Sequence, residues 1–119
     1  MADCFTIQVV TSLLTGSTSE YSKDATSDDT LTEDFRSTVT VAAGAADDSL
    51  TLGGMTNPKA LVVYGEQGIT FKLGAAGADA VGADPIAVVI DEGGGLNIAA
   101  ILISNADAVD HQVLVIAME

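Results

Sequence analysis

The sequence predicts an all-β fold, a β-sandwich of jelly-roll type with about eight short strands and a long early loop or arm at residues 11–36. Three observations predict it. Apolar and polar residues alternate with period two in several short runs, as in Phe5–Val9, Thr38–Val41, Leu50–Leu52 and Ile69–Leu73. Glycine-rich and Asn/Asp-rich breaks separate these runs at short intervals. No stretch carries the sustained 3.6-residue apolar face of a helix.

The first strand opens almost at once, with Phe5, Ile7 and Val9 alternating against Thr6 and Gln8. From Thr11 to Arg36 the text turns to Ser, Thr and acid, and it reads as a polar, acidic arm; a short helix capped by Ser27 or Thr30 fits within 27–35. Thr38–Val41 and Ser49–Leu52 then read as a hairpin or neighbouring strands across the Ala43–Asp48 turn. Lys59–Tyr64 and Ile69–Leu73 flank Gly65-Glu66-Gln67-Gly68 and read as a second hairpin. Gly74–Asp84 has no periodic face and reads as a loop. Pro85 opens the apolar run Ile86–Ile90, and Asn97–Ser104 and Gln112–Met118 complete the set. Eight strands with one long early connection suit a jelly roll better than an immunoglobulin sandwich, whose signature leans on Cys and Trp.

At 119 residues the chain has room for a single sandwich domain, 1–119, with 11–36 as its arm. Hydrophobic residues make up 48% of it and aromatics only 4%, so the core is aliphatic. Limited ring area in so small a domain makes self-association the expectation. Ile86–Ile90, Ile98–Ile103 and Val113–Met118 carry more apolar positions than one inward face can hide, and they are the expected contact strands.

Charge sets further bounds. Seventeen Asp and Glu against four Lys and Arg give a formal net charge of −13, which disfavours nucleic acid and anionic membrane as partners. No apolar run approaches a membrane span, and Met1-Ala2-Asp3-Cys4 lacks the features of a signal peptide, so synthesis in the cytoplasm is expected.

Side chains for catalysis are scarce, and the chain reads as no enzyme. His111 is the single histidine and sits in a turn, where a solvent-facing role is expected. Gly-x-Ser-x-Gly and the phosphate-binding glycine motifs are missing, and the lone Cys4 and lone His111 do not make a transition-metal site. The acids Asp24, Asp28, Asp29, Glu33 and Asp34 have no calcium-loop order and read as a solvated charge run, so no cofactor is expected. The arm itself is the candidate partner-contacting element. Leu13, Leu14, Tyr21, Leu31 and Phe35 would be its apolar anchors, and Asp28 and Asp29, with the neighbouring acids, would set register against basic residues of a partner.

The segments Leu50–Val63, with its Thr56-Asn57-Pro58-Lys59 step, and Ile101–Asn105 with Val113–Glu119 resemble small virion proteins of tailed bacteriophages, over roughly residues 49–119. The resemblance implies a noncatalytic jelly-roll decoration or cement protein, often trimeric, on the capsid exterior, where it bridges subunits of the major capsid protein. Nothing in residues 11–48 shares the likeness. A second expectation, from a different class, is a small sandwich binding module of a phage tail or head fibre that recognises carbohydrate or a host surface.

Overall fold

The computed structural model describes residues 4–15, 18–30, 34–91 and 93–119. All regular structure among them is β-strand, in two compact units, Met1–Leu31 and Thr32–Glu119.

The first unit holds β1 (Cys4–Thr15) and β2 (Thr18–Thr30), paired antiparallel from Cys4↔Thr30 to Thr15↔Thr18, with a register shift between Leu13 and Leu14. The loop or arm expected over 11–36 is therefore corrected: residues 11–15 continue β1, 18–30 form β2, and Asp34 already opens the next strand. The helix expected within 27–35 is corrected with it, because Ser27–Thr30 lie in β2. The physical reason is that ladder pairing satisfies backbone N–H and C=O groups whatever the side chains are. A Ser/Thr-rich strand without apolar alternation does not announce itself. The single 1–119 sandwich is likewise redrawn: the Phe5–Val10 strand belongs to the hairpin unit, and every sandwich strand lies in the other, from Asp34 onward.

The second unit contains eight strands: β3 (Asp34–Val41), β4 (Asp48–Thr51), β5 (Ala60–Tyr64), β6 (Ile69–Leu73), β7 (Val81–Gly82), β8 (Ile86–Ile90), β9 (Ala100–Asn105) and β10 (His111–Met118). They form two four-stranded sheets, in the orders β3-β10-β5-β8 and β4-β9-β6-β7, every pair antiparallel. Each step along the chain crosses to the opposite sheet except β6 to β7, the connectivity of a jelly roll.

Two expected hairpins are corrected by this order. β3 and β4 lie in different sheets, and so do β5 and β6. The Gly65–Gly68 segment is an arch between sheets, since both flanking strands bury an apolar face and each needs the other opposite it, not beside it. Leu61 and Val63 face Ile69 and Phe71 across the core. The Gly74–Asp84 loop contains the two-residue β7, which completes the strand count.

The core is aliphatic around one ring, Phe71, with Leu52, Met55, Leu61, Ile101 and Val115 among its fully buried members. Phe35 packs against this core from β3. Its expected place as an arm anchor is corrected for that reason: a ring at the start of a sheet strand gains more from the sandwich interior than from solvent. Its ring also lies 3.0 Å from where a Cβ on Gly53 would stand, which keeps that position free of a side chain.

Candidate functional site

The strand period fixes what the sandwich shows to the outside. On β5 and β10, Leu61, Val63, Val113, Val115 and Ala117 point into the core, and on β8 Ala87 and Val89 pack against it. The alternate positions therefore point outward. In register they make three rows across three strands: Leu114–Tyr64–Ile86, Ile116–Val62–Val88 and Met118–Ala60–Ile90. All nine are apolar.

The face is graded along the strands. Tyr64 and Ile86 are exposed at 45% and 43%, whereas Ala60, Val62 and Met118 are buried. The solvent-facing part of the grid is therefore its Tyr64–Ile86 end, with Leu114, Ile116, Val88 and Ile90 half-buried beside it. Exposed Arg36, Thr38 and Thr40 of β3 border it on one side, and exposed Glu66 and Asp84 lie just beyond the Tyr64 row.

The opposite sheet differs in kind. Its outward positions include Ser49, Thr51, Ser104, Thr70 and Lys72, with Leu102 set between Ser49 and Lys72 in register. Lys72 Nζ pairs with Asp47 Oδ1 at 3.1 Å and donates to the Ala76 carbonyl at 3.0 Å. Of the three runs expected to supply contact surface, Ile86–Ile90 and Val113–Met118 thus share one apolar face. Ile98–Ile103 contributes only Ala100 and Leu102 to a polar one.

A cleft of about 200 Å³ opens between the edge strands β3 and β4, with Val39, Val41, Leu50 and Ile103 as apolar lining and Thr40, Asp48 and Ser49 as polar lining. It is smaller than the several hundred Å³ typical of an organic ligand's pocket.

Polar side chains converge at the loop end of the sandwich. Asn105, at the end of β9, is 1% exposed, and its amide nitrogen donates to the carbonyls of Val41 at 3.0 Å and Val109 at 2.9 Å. Its Oδ1 accepts from the Asp107 N–H at 2.9 Å. All these polar atoms of a buried amide are satisfied, and three segments are tied together by one side chain.

His111 lies beside it, and its expected solvent-facing role is corrected. The side chain is only 10% exposed, with Nδ1 2.6 Å from Glu66 Oε2 and Nε2 2.8 Å from Asp107 Oδ2. The hydrogen bond that the ring donates to Asp107 and the charge of Glu66 raise the imidazole's pKa above its ordinary value, against some desolvation, and the same hydrogen bond lowers that of Asp107. Both ring nitrogens are engaged, so neither is free to take a proton from a substrate. The two carboxylates flank opposite sides of the ring and do not converge on a common point. Among the described residues no group of three His, Cys, Asp or Glu is placed to hold a metal ion.

Of the expected partner-contacting residues, Leu13 and Leu14 lie on β1, and Tyr21, Asp28 and Asp29 on β2. Leu13 pairs with Tyr21 in register, and Asp28 and Asp29 pair with Thr6 and Phe5. Leu31 lies outside the described residues, and Phe35 belongs to the sandwich. The apolar grid was half visible in the sequence, as a surplus of aliphatic positions; the Glu66–His111–Asp107 cluster gave no signal, because Glu66 lies some forty residues before the other two.

No protein-family model matches the chain, and no curated protein matches it in sequence. Among solved structures, the Schizosaccharomyces pombe Cnp3 cupin domain is similar to it over 99% of this chain and 85% of that one, at 13% identity and a TM-score of 0.44.

Proposed function

We propose that this chain is a noncatalytic virion structural protein that decorates or cements a phage capsid on its exterior, bridging subunits of the major capsid protein and associating with copies of itself. The observation that carries the reading is the nine-residue apolar grid on the outer face of β10, β5 and β8. A sheet face of that kind is stabilised by covering it, and covering it is what an assembly subunit does. The acidic balance adds the character of the partner: an apolar centre with Lys and Arg around it. The likeness of residues 49–119 to small tailed-phage virion proteins supports the same reading.

The alternative, a sandwich module that binds carbohydrate, wants an aromatic platform. Among residues 35–119 Tyr64 is the only exposed aromatic side chain, and it stands on the sheet face, not in a loop cluster. The first reading is therefore preferred.

Pelleting with undecorated capsids of the source phage tests it. The wild-type chain is expected to co-sediment, and the double variant Tyr64→Lys/Ile86→Glu to remain in the supernatant with an unchanged thermal transition, since both side chains are already substantially exposed and the opposite charges face each other across β5 and β8. A wild-type chain that stays in solution, or a variant that decorates to wild-type occupancy, overturns the assignment.

A further inference from the structure

The β5–β6 arch and the β9–β10 loop meet at two kinds of contact. One is backbone: the Ala106 N–H donates to the Gly68 carbonyl at 2.9 Å. The other is the imidazole of His111, which reaches Glu66 on the arch and Asp107 on the loop at once. Gly68 has φ +88° and a Cβ there would stand 2.9 Å from the Asp107 nitrogen, so arch and loop approach closely at this point. We propose that Glu66, His111 and Asp107 form a proton-gated clasp that fastens the β5–β6 arch to the β9–β10 loop and lets go when the imidazolium loses its proton.

The chemistry follows from counting donors. An imidazolium has two N–H groups and gives one to each carboxylate; a neutral imidazole has one. Whichever nitrogen loses its proton then presents a lone pair to a carboxylate oxygen less than 3 Å away, and that contact must open. The charged groups facing the ring are Glu66 from the arch and Asp107 from the loop. Asp110, next in the chain, is turned to the Ala43 N–H at 2.9 Å, and β3 sets Val41 opposite His111. The two carboxylates hold the proton on the ring beyond the pH at which an isolated histidine releases it, so the clasp stays closed past that point and opens as pH rises through the raised pKa. The arch it fastens starts one residue after Tyr64, at the exposed end of the apolar grid. The clasp stands on this geometry whether or not the grid binds a capsid.

The test is a histidine titration of the full chain by NMR combined with amide hydrogen exchange across the same pH range. The midpoint is expected above the ordinary imidazole value. Protection factors at Ala106 and Asp107 are expected to fall by about tenfold between one pH unit below and one above it, while those of Val63 and Val115 hold. Glu66→Gln, at a side chain 61% exposed and so safe for folding, is expected to lower the midpoint. His111→Gln is expected to remove the pH dependence of loop protection. A wild-type midpoint at or below the ordinary value, a midpoint unmoved in Glu66→Gln, or loop protection that ignores the titration would each overturn the clasp.

Discussion

Asn105 concentrates at one position what holds the loop end of the sandwich together. Replacing it with Ala leaves the Val41 and Val109 carbonyls and the Asp107 N–H without their partner in a dry site, and the expected loss is about 2–4 kcal/mol, read as a lower denaturant midpoint at unchanged slope. Asn105→Asp is expected to lose more at neutral pH than in acid, because an ionised carboxylate offers no hydrogen to either carbonyl. The neighbouring His111 and Asp107 give stability its pH profile. His111, with its pKa raised on folding, contributes stability that is complete below its unfolded pKa and lost as pH rises through the folded one; Asp107, with its pKa lowered, contributes stability present above its unfolded pKa and lost as pH falls through the folded one. Thermal melts are therefore expected to show a plateau from the weakly acidic range up to the ordinary imidazole pKa, with a decline on each side. Neither role was legible in the sequence. Asn and His in turns are ordinarily solvated, and only the meeting of Val41, Glu66 and the β9–β10 loop at one place makes them buried linkers.

Elements show a sharper division between what sequence carries and what it does not. Ile69–Leu73 and Ile86–Ile90 are strands at the residues their alternation or apolar run predicts, and Gln112–Met118 gains only His111. Pairing was not legible: a glycine-bounded four-residue loop serves a hairpin or an arch equally, and the choice is made by which apolar faces must meet across the core. β2 was missed altogether, since its strand character lies in its ladder with β1 and not in its own side chains. Two strands of 12 and 13 residues paired only with each other are a marginal structure in water, so the hairpin unit is expected to contribute little to the sandwich's own stability. Deleting residues 1–31 is expected to leave a cooperative thermal transition within a few degrees of the full chain, measured by circular dichroism. Extending the cut through Asp34 trims β3, which pairs Asp34 with Met118, and is expected to lower that transition.

At the scale of the whole molecule, 17 acids against 4 bases oppose every approach of one copy to another. Self-association through the apolar grid, with a homotrimer as the expected state, should therefore strengthen as salt shortens the screening length from about 30 Å at 0.01 M to about 10 Å at 0.1 M. Sedimentation at micromolar concentration across that range checks it; a monomer throughout would rule the association out. The all-β class and the jelly-roll type were legible from strand number and the near-absence of helical periodicity, whereas the polar character of one outer face and the apolar character of the other emerged only with the strand order. That order also constrains how the chain comes to be folded. β10 lies between β3 and β5 although some seventy residues separate it from β3 along the chain, so a nascent polypeptide that has not yet emerged past Gln112 has no central strand around which that sheet can close. Closure of that sheet waits on a strand distant in sequence, and until β10 arrives the edge of β5 that β8 does not pair is open to any chaperone or neighbouring chain that reaches it first.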